Sequence, residues 1–230
     1  MSESGANGHL PLLRGIYAIT PDDPSTSSLA SKVSAALAGG VRLVQYRNKL
    51  ANKSLAHEQA ACLRRITASV GAMLIVNDDI ELAFAVSADG VHLGQDDGLM
   101  RVRPIDLSAL RKQAPPVARH KGAFLVGISC YRDMVAARAA TAAGADYIAF
   151  GSFFPSPTKP FAELAGLPLI LEAKQEISLP IVAIGGITTE NAPQLIGAGA
   201  DVLAVISSLF AADDIRRQAQ ILTSHFSDHA

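Results

Sequence analysis

The segment VRLVQYRNK (residues 41–49) begins as a largely apolar run and ends with polar side chains at alternate positions. Such a run is typical of a strand that is buried on both faces of a parallel sheet. Because successive side chains of a strand point to opposite faces, Gln45, Arg47 and Lys49 should leave the same face. The segment therefore predicts a core strand whose carboxyl end presents an amide, a guanidinium and an ammonium group together.

Short apolar runs of the same kind recur along the chain. The full set covers residues 15–20, 41–46, 73–77, 90–94, 124–129, 147–152, 181–186 and 202–207. Helical stretches lie between them, the clearest being residues 28–40, 54–71, 132–145 and 188–200. Eight alternating β and α elements predict an α/β fold, a (β/α)8 TIM barrel.

An open, doubly wound sheet is the alternative fold. Its glycine-rich GxGxxG fingerprint is missing after the first run, where YAITPDDP (residues 17–24) stands instead. Two helical stretches end in AGAD just before a strand, around Gly144–Asp146 and Gly199–Asp201, which indicates a repeated helix–turn–strand unit. Ser54 is the predicted N-cap of the helix that begins there.

Composition limits the functional classes. The 230 residues are 49% hydrophobic, enough for one large core, and we expect a flexible tail over residues 1–13 and one barrel domain over 14–230. The net charge of -1 argues against nucleic acid as a partner. No apolar run reaches the roughly 20 residues of a membrane span, so a membrane partner is not expected. The two cysteines form no disulfide framework, and a cytoplasmic location is expected.

Polar residues gather after the predicted strands, where a barrel of this type places its active site. They include Asn77, Asp78, Asp97, Ser129, Ser156, Lys159, Ser207 and Ser208. Arg47, Lys49 and Lys159 are cations that can hold phosphate groups. Asp78 and Asp97 are oxygen ligands of the kind that Mg²⁺ takes together with substrate phosphates. These residue types predict a site for a magnesium diphosphate.

A second anion site is predicted where Gly185 and Gly186 meet the ISS turn at 206–208, because barrel phosphate sites use backbone N–H groups there. Simpler explanations stay open: NDD (77–79) can cap a helix, and the two glycines can serve a tight turn. His92 is expected to be a packed core histidine rather than a base. Cys62 is expected in the core, and Cys130, which follows Ser129, is a candidate to touch the site without a base to pair with.

The chain resembles the thiamine-phosphate synthase family from about Gly15 to Ser208. The motifs that carry this resemblance are QYRNK (45–49), VNDD (76–79), ADGVHLGQDD (88–97), VGIS (126–129), FGSFFPSPTKP (150–160), AIGGI (183–187) and AVISS (204–208). The resemblance implies a Mg²⁺-dependent transferase that joins a pyrimidine methyl diphosphate to a thiazole ethyl phosphate. The expected partners are these small molecules, and self-association into a homo-oligomer is left open.

Residue roles follow from the same resemblance. The implied substrate-binding residues are Gln45, Tyr46, Arg47, Asn48, Lys49, Asn77, Ser129, Ser156, Pro157, Thr158, Lys159, Gly186, Ile206 and Ser207. The implied catalytic groups among them are Arg47, Lys49, Ser129 and Lys159, and the implied magnesium ligands are Asp78 and Asp97. Three positions depart from the family pattern, namely Ser156 in place of threonine, CYR (130–132) after Ser129, and Pro160 in place of an acidic residue.

Other functions are weighed against this one. A thiazole tautomerase-like barrel would handle only the thiazole phosphate and would not need the cations and carboxylates together. A phosphosugar isomerase or epimerase would need an acid/base pair at the strand ends, which the sequence does not supply. A non-catalytic barrel that binds a phosphorylated ligand would not need a complete magnesium diphosphate site.

Overall fold

A computed structural model of the chain describes residues 13–94, 106–115, 124–156 and 163–227. Eight parallel strands form a closed barrel in sequence order, with the last strand paired to the first. The strands are β1 (Gly15–Ile19), β2 (Leu43–Tyr46), β3 (Met73–Asn77), β4 (Gly90–Leu93), β5 (Leu125–Tyr131), β6 (Tyr147–Gly151), β7 (Ile181–Ile184) and β8 (Val202–Val205). The predicted (β/α)8 TIM barrel is confirmed.

Helices alternate with the strands. Those within the described residues are α1 (Thr26–Ala38), α2 (Lys53–Ser69), α3 (Ile80–Ala85), α4 (Leu107–Gln113), α5 (Met134–Ala142), α6 (Leu167–Glu176), α7 (Ala192–Gly197), α8 (Ser207–Phe210) and α9 (Ile215–Ser224). The predicted N-cap of α2 is wrong. Asn52, not Ser54, caps this helix, and its side-chain oxygen accepts a hydrogen bond from the Leu55 N–H at 3.0 Å.

The core has two layers, which follow from the alternation of side chains along each strand. One set of strand residues packs outward under the helices, and the other set fills the barrel interior. Leu13 is buried in the interior set, so the barrel core includes the last residue of the predicted tail. The rest of that tail lies outside the described residues.

A glycine makes room for the largest interior side chain. A Cβ atom on Gly127 of β5 would lie 2.0 Å from the ring of Tyr147 on β6. The Tyr147 ring therefore lies directly over the backbone of β5, and it is fully buried. This close approach places the Tyr147 hydroxyl inside the barrel, where polar side chains of other strands meet it.

Three aspartates at the amino end of the barrel repeat at every second strand. Asp89, Asp146 and Asp201 directly precede β4, β6 and β8. Their carboxylates accept hydrogen bonds from backbone N–H groups near the start of the preceding strand, at Leu74 (2.7 Å), Val126 (2.7 Å) and Ile181 (2.8 Å). A cation from the helix before that preceding strand pairs with each aspartate, namely Arg64 (3.2 Å), Arg111 (2.7 Å) and Lys174 (3.1 Å). We call these three units the amino-end clasps.

The clasps explain the repeated AGAD segments. Gly144 and Gly199, two residues before the aspartate, have φ angles of +86° and +106°, which glycine adopts readily. In the third clasp Ser87 holds the same left-handed position, with a φ angle of +53°. The sequence pattern showed only two of the three units, because serine replaces glycine in this one.

Candidate active site at the carboxyl end of the barrel

A cavity of about 810 Å³ opens at the carboxyl ends of the strands. It brings together most of the predicted site residues, namely Gln45, Arg47, Lys49, Asn77, Asp78, Ser129, Ser156, Gly186, Ile206 and Ser207. Pro157, Thr158 and Lys159, and the second predicted metal ligand Asp97, lie outside the described residues. Their roles stay predictions.

Alternation along β2 sorts the QYRNK motif into two groups. Gln45, Arg47 and Lys49 line the cavity, as expected. Tyr46 and Asn48 instead point toward α2, where the Tyr46 hydroxyl and the Asn48 amide both donate to Gln59 Oε1 at 3.0 Å. Neither residue lines the cavity, and both side chains anchor the strand to the helix, so substrate contact by Tyr46 and Asn48 stays a prediction.

The end of β1 fixes the segment that carries the two cations. Thr20 is fully buried, and its hydroxyl accepts from the Arg47 N–H and donates to the Arg47 carbonyl, each at 2.8 Å. Asp22 Oδ1 accepts from the Lys49 N–H at 2.7 Å and lies 3.6 Å from the Arg47 guanidinium. The backbone is held on both sides, so the two positive side chains are directed into the cavity mouth.

The NDD segment divides its functions between adjacent residues. Asp79 is the N-cap of α3, and its Oδ1 accepts from the Leu82 N–H at 2.8 Å. Asp78 has a φ angle of +61°, an uncommon conformation for a residue with a side chain. Its carboxylate lines the cavity, where it accepts from the Gly94 N–H at 3.0 Å and from the Asn77 amide. Helix capping thus explains Asp79 but not Asp78.

The donor set around Asp78 fits Mg²⁺. Mg²⁺ is usually held by one or two carboxylates, with waters and substrate phosphates as the other ligands. Asp78 supplies one carboxylate within the same cavity as Arg47 and Lys49, which can bind the phosphates. Within the described residues no cluster of three or more His, Cys, Asp or Glu side chains is present. An all-protein metal cage is therefore not the arrangement in this part of the chain.

Close packing explains why two glycines follow β7. Gly185 and Gly186 have φ angles of +105° and +62°. A Cβ atom on Gly185 would lie 1.8 Å from the Ser152 hydroxyl, and one on Gly186 would lie 2.3 Å from the Pro155 carbonyl. The two glycines thus form a tight turn, as one of the simpler explanations held. Their lack of side chains also lets the loop after β6 approach β7 along the cavity wall.

Backbone donors and a hydroxyl meet at the turn after β8. Helix α8 begins at Ser207, and the first N–H groups of a helix have no partner within the helix. Ser207 and Ser208 both line the cavity. The Ser208 hydroxyl is buried and has no hydrogen-bond partner among the described residues. This turn can therefore offer donors to an anion.

Polar side chains also cross the barrel interior below the cavity. Gln45 Nε2 donates to the Tyr17 hydroxyl at 2.8 Å, and the Tyr17 and Tyr147 hydroxyls are 3.0 Å apart. His92 lies 3.2 Å from the Tyr147 hydroxyl through Nδ1 and 2.9 Å from the Ser129 hydroxyl through Nε2. Burial lowers the pKa of His92 to about 4 and raises the pKa values of both tyrosines above their ordinary range. We call these five residues the interior chain.

The sequence analysis did not identify every residue of the interior chain. His92 is buried, as expected, but it also lines the cavity and bonds to Ser129. Tyr17 and Tyr147 lie within apolar runs and showed no functional signal. Their positions in their strands place them on the inner face, so counting alternate residues from known inner positions could have found them.

The two cysteines differ from expectation. Cys130 is fully buried and does not line the cavity, so its side chain does not touch the site that its neighbour Ser129 lines. Burial, with a smaller contribution from Asp133, raises the pKa of the Cys130 thiol to about 12. Cys62 is half-buried rather than in the core. Tyr131 and Arg132 of the CYR departure do line the cavity, and Arg132 pairs with Glu163.

The fold and the cavity together define an α/β-barrel protein with a cavity lined by cationic and polar side chains at the carboxyl end of its strands. The family model described as thiamine monophosphate synthase matches residues 16–209. The chain belongs to this family. It is a transferase of thiamine biosynthesis, with the function of a thiamine-phosphate synthase.

Individual relatives agree with this assignment. The chain is 49% identical to a thiamine-phosphate synthase of Thiobacillus denitrificans over 93% of this chain and 95% of that one. It is 46% identical to one of Azoarcus sp. over 94% and 98% of the two chains. A solved thiamine phosphate pyrophosphorylase of Pyrococcus furiosus superposes with a TM-score of 0.76 at 32% identity, covering 93% of this chain and 96% of that one.

A more distant neighbour shares the fold alone. The structure of 3-hexulose-6-phosphate synthase from Salmonella typhimurium superposes with a TM-score of 0.67 at 17% identity, covering 93% of this chain and 99% of that one. None of the helices within the described residues is both long and apolar enough to cross a membrane.

Proposed function

We propose that the chain couples 4-amino-2-methyl-5-(diphosphooxymethyl)pyrimidine with a thiazole ethyl phosphate, giving thiamine phosphate and inorganic diphosphate. The observation that carries the proposal is the joint presence of Arg47, Lys49 and Asp78 in one cavity. A thiazole tautomerase or a phosphosugar isomerase has no leaving diphosphate to stabilise. Two cations beside a carboxylate that can hold Mg²⁺ suit a substrate with a diphosphate.

The diphosphate would lie at the mouth of the cavity. Arg47 can bind two phosphate oxygens through its planar guanidinium, and Lys49 adds a point charge. Asp78 would hold Mg²⁺, with Asn77 fixing the carboxylate through its amide. Bound Mg²⁺ would neutralise charge on the diphosphate oxygens. Asp97 and Lys159 are proposed to complete this site.

The thiazole phosphate would lie on the opposite wall. The N–H groups at the start of α8 and the Ser208 hydroxyl, which has no partner in the part of the chain that the structure describes, support an anion site there. Gly186 lines the same wall, and Ile206 lies just before the turn. Ser156, Pro157 and Thr158 are proposed to close this side from the loop after β6.

Bond breaking is proposed to precede bond making. The carbon–oxygen bond to the diphosphate breaks, and the aminopyrimidine delocalises the positive charge left on its methylene carbon. The thiazole nitrogen then donates its electron pair to that carbon. No protein nucleophile is required, so catalysis comes from positioning the two substrates and from stabilising the departing diphosphate.

The floor of the cavity supports this route. The inner side chains Ala149, Val182, Ile184 and Ala204 are apolar and line the cavity. A reactive cation is best protected from water in surroundings of this kind. Gln45 and Ser129 are polar groups of the same cavity that would contact the pyrimidine ring.

A product assay tests the proposal. The protein is mixed with the two phosphorylated substrates and Mg²⁺, and thiamine phosphate and free diphosphate are measured together. Equal formation of both, abolished by chelation of Mg²⁺, is the expected result. No product, together with tight binding of the thiazole phosphate alone, would instead favour a tautomerase-like or purely binding barrel.

Cellular location and assembly state stay predictions. A cytoplasmic location is checked by fractionation of cells that express the protein. Self-association is checked by sedimentation of the purified chain across a range of concentrations.

A further inference from the structure

The interior chain joins two proposed substrate contacts through the barrel core. Gln45 on β2 and Ser129 on β5 line the cavity, and they lie on strands that are not neighbours. Tyr17, Tyr147 and His92 connect them through four hydrogen bonds of 2.8 to 3.2 Å. The three connecting residues are at least 93% buried, with exposures of 1%, 0% and 7%.

With the Gln45 amide nitrogen facing Tyr17, the hydrogen bonds of this interior chain all run in one direction. The Tyr17 oxygen accepts from Gln45 Nε2, so the single phenol proton of Tyr17 is directed to the Tyr147 oxygen. The Tyr147 proton then points to His92 Nδ1. A neutral imidazole has one donor and one acceptor nitrogen, so His92 carries its proton on Nε2 and donates to Ser129.

With the same orientation of the Gln45 amide, the opposite direction would leave a proton unused in the core. If His92 donated through Nδ1, the Tyr147 proton would turn to the Tyr17 oxygen, which already accepts from Gln45. The Tyr17 hydroxyl proton would then have no acceptor among the five residues of the interior chain. An unpaired buried donor is destabilising, so the first direction is favoured.

We infer that the interior chain sets the hydrogen-bond character of the two groups that face the substrate, an acceptor at Gln45 Oε1 and a donor at the Ser129 hydroxyl. Tyr17, Tyr147 and His92 are thus positioning residues. Their proposed effect on the substrate passes through Gln45 and Ser129, although Tyr17 and His92 also line the cavity.

This inference rests on the proposed function and deepens it, because it names the hydrogen-bonding edge of the pyrimidine that the site selects. An acceptor and a donor together suit an aminopyrimidine, whose exocyclic amine donates and whose ring nitrogen accepts. A pyrimidine with a carbonyl in place of the amine presents the wrong partner to Gln45. A site built to satisfy such groups rejects an analogue that leaves them unpaired.

The first arm of the test measures the His92 tautomer in the free protein. Protein labelled with ¹⁵N in its histidines is examined by NMR, and His92 is assigned from the signal lost in His92→Gln. The expected spectrum has the proton on Nε2 in the wild type. In Tyr147→Phe, which removes the hydroxyl that faces Nδ1, a mixture of tautomers is expected. A wild-type proton on Nδ1 would overturn the inference.

The second arm separates the two substrates kinetically. Tyr147→Phe and Tyr17→Phe are each expected to raise KM for the pyrimidine diphosphate roughly tenfold. KM for the thiazole phosphate should change less than twofold in the same variants. The control is Thr67→Val, which removes a fully buried hydroxyl of α2 that bonds the Arg64 carbonyl, away from the cavity. It should change neither constant.

The outcomes separate this inference from the proposed function. If the wild type makes no thiamine phosphate, the proposed function fails, whatever the tautomer. If it makes product but both tyrosine variants raise the two KM values equally, or raise neither, the positioning role is wrong. Should Tyr147→Phe fail to fold, Tyr17→Phe and the wild-type tautomer still decide the question.

Discussion

The two ends of the barrel use the same residue types for different purposes. At the amino end, each clasp aspartate accepts a backbone N–H bond and pairs with a cation at 2.7 to 3.2 Å. At the carboxyl end, Arg47 is 3.6 Å from Asp22, and Lys49 extends into an open cavity. Charges that are paired within the fold stabilise it, whereas charges directed at a cavity can bind a ligand.

The largest effect is expected from Arg47→Ala at the carboxyl end. Loss of one contact to the departing diphosphate should lower kcat/KM by about 10² to 10³, from the magnitude of oxyanion-type donors. The free energy of unfolding should change by less than about 1 kcal/mol, because the Asp22 pair is partly exposed. Steady-state kinetics and urea unfolding measure both.

Arg138→Ala is the matched control. Arg138 on α5 is half-exposed and pairs with Glu176 at 2.6 Å on the outside of the barrel. Its removal should leave kcat/KM unchanged. Equal kcat/KM values in the Arg47 and Arg138 variants would remove Arg47 from the proposed diphosphate site.

The complementary change is Asp89→Ala at the amino end. The Asp89 side chain is 3% exposed, and its loss leaves the buried Leu74 N–H and the Arg64 guanidinium without this partner. The free energy of unfolding should fall by about 3 kcal/mol. At temperatures where the variant is folded, kcat and both KM values should match the wild type.

Asp201→Ala tests the same prediction at a more exposed clasp aspartate. The Asp201 side chain is 12% exposed, so water can replace part of its interactions. A smaller loss, about 1–2 kcal/mol, is expected. If either variant lost catalytic activity without losing stability, the proposed difference in role between the two ends of the barrel would be wrong.

A smaller effect is expected from Asp78→Asn, which removes a negative charge but keeps an oxygen acceptor. Asparagine tolerates the left-handed conformation at this position. The concentration of Mg²⁺ for half-maximal activity should rise about tenfold, since a neutral amide is a poorer Mg²⁺ ligand than a carboxylate. Activity measured over a Mg²⁺ titration gives this value.

The adjacent residue provides the control. Asp79→Asn keeps an N-cap for α3, because asparagine caps a helix about as well as aspartate. Its Mg²⁺ dependence should equal that of the wild type. A Mg²⁺ shift in Asp79→Asn that equals the shift in Asp78→Asn would mean that general charge, not ligation, is measured.

The smallest effect is expected from Ser208→Ala. The hydroxyl has no protein partner among the described residues, so the free energy of unfolding should change by less than about 0.5 kcal/mol. KM for the thiazole phosphate should rise about threefold to fivefold, the value of one modest hydrogen bond. Ser224→Ala, on the outer helix α9, should leave this KM unchanged.

How far the sequence could predict the molecule depends on the length scale of each feature. The barrel was predictable because each buried strand leaves a local apolar run, and β2 was found within two residues of its observed bounds. The inward direction of Gln45, Arg47 and Lys49 followed from alternation alone. The same alternation turns the side chains of Tyr46 and Asn48 toward α2, and both were included because the family motif is contiguous.

Features that depend on contacts between distant strands were not predictable. Tyr17 and Tyr147 are 130 residues apart in the chain, and only the closed barrel places their hydroxyls in contact. The third clasp was not predicted, because Ser87 occupies the position that glycine occupies in the other two clasps. Single-sequence patterns record local periodicity but not which side chains meet across the core.

The most direct test of the account is a crystal structure of the protein with thiamine phosphate, diphosphate and Mg²⁺, the proposed product complex. The account predicts the diphosphate in contact with the Arg47 guanidinium, Mg²⁺ on the Asp78 carboxylate, and the phosphate of thiamine phosphate at Ser207 and Ser208. A diphosphate bound away from Arg47, or a product bound outside the carboxyl-end cavity, would contradict it.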